Sequence, residues 1–114
     1  MKITIREVDQ ITVVALDGSI DALTAAELTQ RLDEILELGR NDLVADLANV
    51  QYTSSAGLRV LLGTLKSSRR QGGDFRLASV QASVFRVLQM SGFADILRIF
   101  DDVEEAVLSF QQDG

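Results

Sequence analysis

Three hydroxyl side chains lie in a row where a predicted strand gives way to a predicted helix. Thr53, Ser54 and Ser55 follow the apolar run from Leu43 to Leu47 and precede leucines at helical spacing. The free backbone N–H groups at a helix start attract anions, so a phosphoryl group on a serine there would lie in a favourable field. A helix start also projects its hydroxyls outward, where another protein can reach them.

A purely structural role for these hydroxyls is compatible with the same spacing. Ser and Thr are preferred N-cap residues, so spacing alone favours the interpretation that they cap the helix. Gly57 would then mark a position where packing requires a small residue, and Asp46 would be a hydrogen-bonded polar residue near a strand end. The residues by themselves leave both interpretations open.

Composition restricts the chemistry of the chain. Its 114 residues include no cysteine and no histidine. Disulfides and thiolate metal sites are therefore excluded, and the commonest general base and metal ligand are missing. No glycine-rich phosphate-binding motif occurs, and no pair of carboxylates stands at a spacing typical of catalysis. We expect no enzyme activity, no metal and no cofactor.

The charge and hydropathy patterns indicate where the protein acts. Eleven Lys and Arg against 17 Asp and Glu give a net charge of −6, which disfavours nucleic acid as a partner. The first ten residues alternate and are charged, unlike a signal peptide, and no apolar run approaches the ~20 residues of a membrane span. We expect a cytoplasmic protein without direct membrane insertion. It should be a monomer, because no coiled-coil seam is present.

Hydrophobic periodicity predicts alternating strands and helices. Lys2 to Val8 and Ile11 to Leu16 read as strands, and the two residues between them favour a hairpin. Asp21 or Thr24 should cap the next helix; if Thr24 does, Glu27 completes a capping box. The remaining elements are a helix up to Leu38 before Gly39, a strand over 43–47, a helix between Ser55 and Gln71, a strand over 75–80, a helix over 84–91, a strand over 96–100, and a final helix opened by Asp101 and Asp102.

This order, ββαβαβαβα, predicts an α/β fold. The sheet should be mixed but mostly parallel, with about five strands, about four helices and the first strand antiparallel. The chain has no proline, linker or repeat, so we expect a single domain over residues 1–114.

Three stretches of the chain together resemble the STAS family, which is named for sulfate transporters and anti-sigma factor antagonists. They are LDGSIDALTAAEL at 16–28, DLANVQYTSSAGLRVLL at 46–62, and the segment from 71 to 107. The middle stretch, the most specific of the three, is similar to the family signature. That signature is a strand ending in Asp-Leu, then an aromatic residue, Asp-Ser or Ser-Ser, a small residue and Gly-Leu. The resemblance implies the STAS fold for nearly the whole chain.

The resemblance implies a free-standing anti-sigma factor antagonist that works by protein–protein contact. In bacterial members the unmodified antagonist binds an anti-sigma factor that is also a serine kinase of the GHKL type, and binding frees the sigma factor. Phosphorylation of a serine at the signature helix start ends the contact, and a serine phosphatase restores it. By position this serine is Ser55. Ser54, where many members carry Asp, is the second candidate.

The resemblance also implies which residues contact the partner. They are Asp21, which in the family lies beside the serine loop, and Thr53, Ser54, Ser55, Gly57, Leu58 and Arg59. Simpler interpretations remain open: Asp21 as a cap, Leu58 as part of the helical core stripe, and Arg59 as a solvated side chain.

Other parts of the chain have structural interpretations or fit a second role. Lys66, Arg69 and Arg70 are predicted to compensate the helix dipole, and Met90 to fill the core. Related domains also serve as non-catalytic subunits of transporters, lipid-transport machines or stress-sensing assemblies. Such a subunit is the alternative function.

Overall fold

The polypeptide forms one five-stranded sheet with helices on both faces. The structure is a computed structural model that describes residues 1–112; the last two residues of the expected 1–114 domain lie outside the described residues. The strands are β1 (Lys2–Val8), β2 (Ile11–Asp17), β3 (Asp42–Asn49), β4 (Asp74–Ala78) and β5 (Ile99–Phe100). The helices are α1 (Ala22–Glu37), α2 (Ser55–Arg70), α3 (Ala82–Ser91) and α4 (Val103–Gln112).

The strands lie in the sheet in their sequence order, β1-β2-β3-β4-β5. β1 and β2 pair antiparallel, and Asp9 and Gln10 both adopt positive φ angles (51° and 70°) in the two-residue turn between them. Two left-handed residues give a hairpin turn whose twist matches that of the strands. β2 to β5 run parallel to one another. The predicted mixed, mostly parallel α/β sheet is confirmed.

Two apolar layers hold the helices against the sheet. The larger layer packs α1, α2 and α3 on one face through leucines such as Leu28, Leu61 and Leu88. On the other face Ala106 and Val107 of α4 pack against Val13, Val44 and neighbouring residues of the sheet. Burial of these side chains supplies most of the favourable free energy of the fold.

An arginine lies buried beneath α4. Arg76 on β4 is paired with Asp74, with Nε 2.9 Å from a carboxylate oxygen, and it donates from a terminal nitrogen to Ser109 Oγ at 2.6 Å. Its guanidinium also stacks over the Phe110 ring. A buried charge is tolerated only when it is paired and hydrogen-bonded, so these contacts stabilise both Arg76 and the position of α4.

The last strand is shorter than the hydrophobic pattern of the sequence predicts. The interval 96–100 was expected to be extended, but β5 contains only Ile99 and Phe100. A 3₁₀ turn at Phe93–Asp95 precedes it, and Leu97 N–H donates to Phe93 O at 3.0 Å. This turn places Leu97 in the core with 3% of its surface exposed, and burial of that side chain outweighs additional strand pairing.

The start and end of α1 illustrate the local signals that set a helix boundary. Asp21 is the N-cap, and its partner in the capping box is Thr24 rather than the Thr24–Glu27 pair that the spacing also allowed. At the other end Gly39 has φ +80°, the left-handed conformation that commonly terminates helices.

Candidate functional site

Two loops join at the carboxyl edge of the sheet because β2 and β3 are parallel neighbours. The backbone pairing continues past both strands: Ile20 N–H donates to Tyr52 O at 3.0 Å, and Ser54 N–H donates to Ile20 O at 2.8 Å. Ile20 and Thr53 form a parallel bridge. The start of α1 is thereby fixed beside the start of α2, and Asp21 lies next to the serine loop, as expected from the resemblance.

The two adjacent serines have different surroundings. Ser54 is the N-cap of α2, and its Oγ accepts a hydrogen bond from Gly57 N–H at 3.2 Å. Ser55 is the first residue of the helix and is exposed. Within residues 1–112 its hydroxyl makes no hydrogen bond. The capping interpretation therefore applies to Ser54, and the hydroxyl of Ser55 remains available.

The backbone around Ser55 favours negative charge. Leu58 N–H makes the first helical hydrogen bond, to Ser54 O at 3.0 Å. The N–H groups of Ser55 and Ala56 have no acceptor within the described part of the chain. Unpaired N–H groups and the positive end of the helix dipole both stabilise an anion at this position.

Asp21 holds the first turn of α1 in place. Its Oδ1 accepts from Leu23 N–H at 2.9 Å and from Thr24 N–H at 3.0 Å, while Thr24 Oγ1 accepts from Asp21 N–H at 2.9 Å. The bond from the Thr24 backbone is the main cause that lowers the pKa of Asp21 below its usual value of 3.8. The carboxylate is therefore ionised at neutral pH, beside the serine loop.

Gly57 allows α2 to pack closely against the loop of β2. A Cβ at this position would lie 2.7 Å from Ile20 Cγ2 and would also overlap Thr53 Oγ1. Only glycine fits this distance without displacement of the neighbours. The residue thus maintains the contact between the two loops.

Arg59 lies one helical turn beyond Ser55, on the exposed surface of α2. Within residues 1–112 its guanidinium has no carboxylate within 4.0 Å. It borders a groove of about 340 Å³ between α1 and α2, which Asp33 and several small residues of α2 also line. The groove begins at Ala56, directly beside Ser55.

Comparison with known proteins identifies the family to which the chain belongs. The model of the STAS domain matches residues 2–106. The chain belongs to the STAS domain family. A relative from Bordetella bronchiseptica, BtrV, is 32% identical over 111 residues, which are 97% of this chain and 96% of the relative. BtrV is named as a candidate anti-sigma factor antagonist.

Solved STAS structures share the fold. A crystal structure of a candidate anti-sigma factor antagonist from Thermotoga maritima has a TM-score of 0.89 and 28% identity, covering 94% of this chain and 92% of that one. The phosphorylated form of Bacillus SpoIIAA has a TM-score of 0.75 and 17% identity, covering 96% and 99% of the two chains. At that identity SpoIIAA shows the fold alone.

Three of the residues expected to contact a partner have little exposed surface in this STAS domain. Thr53 is 3% exposed and Leu58 is 7% exposed, and Gly57 is buried between them. Thr53 forms the bridge between the loops, and Leu58 joins the core stripe of α2. Their side chains support the loop from inside, whereas Ser55 and Arg59 are exposed.

Two exposed apolar side chains flank the same loops, and the sequence analysis did not single them out. Leu23 in the first turn of α1 is 88% exposed, and Tyr52 before α2 is 54% exposed. Leu23 falls outside the helical spacing of the buried Leu28 and Leu32, which is a signal that could have indicated an exposed position. Met90, expected to fill the core, is 82% exposed.

Two side chains at the start of α3 hydrogen-bond to the segment that precedes the serine loop. Gln81 Nε2 donates to Ala48 O at 2.7 Å, and Ser83 Oγ donates to Gln51 O at 2.9 Å. These bonds connect the start of α3 to the segment between β3 and α2, and so help to fix the approach to Ser55.

Two other features are absent from the described residues, a metal-binding cluster and a membrane-spanning helix. Residues 1–112 contain no cluster of three or more acidic side chains arranged to hold a metal ion. No described helix combines the length and apolar character needed to cross a membrane.

Proposed function

We propose that this STAS domain is an anti-sigma factor antagonist controlled by phosphorylation of Ser55. In its unmodified form it binds an anti-sigma factor that is also a serine kinase of the GHKL type, and this binding frees the sigma factor. Phosphorylation ends the contact and a serine phosphatase reverses it. The domain acts without catalysis of its own, as a monomer in the cytoplasm and as one domain over residues 1–114.

The observation that carries this proposal is the division of roles between Ser54 and Ser55. The hydroxyl of Ser54 is engaged at Gly57 N–H, whereas that of Ser55 is exposed and has no partner in residues 1–112. A kinase can therefore reach Ser55 without breaking the helix cap. The naming of BtrV and the Thermotoga maritima protein as candidate antagonists supports the same function.

The proposed switch follows from electrostatics. A phosphoserine carries about −1.5 to −2 charges and three strong acceptor oxygens. In a contact surface fitted to a neutral hydroxyl, this group adds bulk and a desolvation cost. A mismatch of ~3 kcal/mol weakens binding about 100-fold, because each ~1.4 kcal/mol is a factor of ten. No rearrangement of the fold is needed.

The test is to map phosphorylation on the protein isolated from its native cells. We expect intact mass and peptide mapping to show one phosphate on Ser55 that Ser55→Ala abolishes. Ser54→Asn is the matched control: it removes the other hydroxyl but keeps a capping acceptor, so the phosphate should remain. An unmodified Ser55 under varied growth and stress conditions, or a phosphate only on Ser54, would contradict the proposal.

A further inference from the structure

The helix that begins at the serine loop is basic in an acidic protein. α2 contains Arg59, Lys66, Arg69 and Arg70 and no Asp or Glu, while the whole chain has a net charge of −6. Two of these cations have partners: Arg69 pairs with Asp74 at 3.0 Å, and Arg70 donates to Ser67 Oγ at 3.0 Å. Arg59 and Lys66 have no such contact in the described residues.

Arg59 is the member of this set that can reach Ser55. Residues four apart on a helix are neighbours on its surface, with Cβ atoms about 5–6 Å apart. Both side chains are exposed and unengaged, so the structure contains no contact that a Ser55–Arg59 pair would have to break. An anion placed N-terminal to a cation is also the more favourable order on a helix.

We propose, on the basis of the proposed phosphorylation of Ser55, that Arg59 binds the phosphoryl group of phosphoserine 55. A guanidinium presents a planar set of N–H donors that matches phosphate oxygens. The modification thus engages Arg59 within the domain, so that it is no longer available to a carboxylate of the partner. The charge at the start of α2 changes from positive, through Arg59 alone, to about −0.5 to −1 in total.

The neighbouring elements bring two carboxylates, the positively charged amino terminus and a distant lysine near this pair. Asp21 lies at the adjoining start of α1, and Asp33 of α1 shares the groove with Arg59. Both carboxylates repel a phosphate dianion. The amino terminus is close enough to act on Asp21. Lys66 lies eleven residues beyond Ser55, about 16 Å along the helix, which exceeds the ~8 Å screening length at physiological salt.

The test measures the second pKa of the phosphate itself. Phosphoserine is incorporated genetically at position 55 of the full chain, and ³¹P NMR follows its titration between pH 4 and 8. A guanidinium bound to the phosphate favours the dianion and lowers this pKa. Arg59→Gln should therefore raise it by roughly 0.15–0.4 unit, the range expected for a helical ion pair, because the second ionisation adds one negative charge.

Lys66→Gln is the matched control, because it removes the same charge from the same exposed helix surface. We expect it to shift the phosphate pKa by less than 0.1 unit, roughly, given screening over that distance. Arg59→Lys should give a value between those of the wild type and Arg59→Gln. Equal shifts for Arg59→Gln and Lys66→Gln, or no shift for either, would overturn the proposal. Because both side chains are exposed, we expect these variants to fold like the wild type, and circular dichroism checks that they do.

This result is independent of the cellular experiment on the same serine. The phosphate is installed without any kinase, so an unmodified Ser55 in cells would overturn the proposed function and leave the pairing with Arg59 intact. Conversely, a phosphate found on Ser55 in cells, together with a pKa insensitive to Arg59, would overturn only the pairing.

Discussion

Ser54 and Ser55 carry the same hydroxyl, and their surroundings give them different roles. Gly57 N–H has no backbone acceptor in the first turn of the helix, and the Ser54 hydroxyl accepts its hydrogen bond instead. The neighbouring hydroxyl of Ser55 is exposed. The sequence spacing indicated a hydroxyl-rich helix start but could not divide these roles, because both serines are acceptable caps. The division depends on the exact residue at which α2 begins.

Gly57 should be intolerant of even one added methyl group. Gly57→Ala places a Cβ against Ile20 and Thr53, and we expect it to lower the free energy of unfolding by about 1–3 kcal/mol. The gain in helix propensity, at most about 1 kcal/mol, offsets only part of this cost. Urea denaturation measures the change.

Gly63→Ala is the matched control for that substitution. It lies in the same helix, and a Cβ there meets no atom within 4 Å. We expect this variant to be more stable than the wild type by up to about 1 kcal/mol. If Gly57→Ala were as stable as Gly63→Ala, the close packing of the two loops described here would be wrong.

At the scale of elements, each helix on the larger face begins where a parallel strand ends, so capping residues and site residues share one edge. Asp21 serves both purposes: it caps α1 and stands beside the loop that carries Ser55. Because this cap is a carboxylate, its contribution to the stability of this edge depends on pH.

The contribution of Asp21 to stability should depend on pH in a defined direction. Its pKa is lower in the folded protein than the usual 3.8, mainly through the hydrogen bond from Thr24 N–H. The stabilisation is therefore fully present above about pH 4 and is lost as the pH falls through the folded pKa. Thermal unfolding of wild type and Asp21→Asn from pH 2.5 to 7 measures it.

The difference in Tm between these two proteins should shrink as the pH falls below 4. Asp33→Asn, at a carboxylate that caps no helix, controls for the change in net charge. A Tm difference that stayed constant over the whole range would show that the charge of Asp21 does not support the cap.

The sequence predicted the elements better than their ends. Strong periodicity identified the β1–β2 hairpin, the central strand β3 and the core stripe of α2. The strand expected over 96–100 was mostly wrong, because the chain forms a 3₁₀ turn at Phe93–Asp95 and buries Leu97 directly after it, and hydrophobic periodicity does not indicate such a turn. Met90 was also misplaced, although it falls outside the helical spacing of the buried Val84 and Leu88, which could have indicated its exposure.

At the scale of the whole molecule, the site exists because two distant loops meet. Positions 20 and 53 are far apart in the chain, and the parallel pairing of β2 with β3 brings them together. The resemblance to the STAS family predicted that Asp21 would adjoin the serine loop. The exposed Leu23 and Tyr52 beside this junction depend on the same tertiary arrangement and were not foreseen.

The central claim is that phosphorylation of Ser55 ends contact with a kinase partner, and the ratio of two affinities tests it most directly. The kinase retained by the immobilised, unmodified protein is purified and titrated with unmodified protein and with protein carrying phosphoserine at position 55, with Ser55→Ala as a control for loss of the hydroxyl. We expect Ser55→Ala to bind like the wild type and phosphoserine 55 to raise the Kd about 100-fold or more. Equal Kd values for the modified and unmodified proteins, or the absence of any kinase on the unmodified protein, would contradict the account.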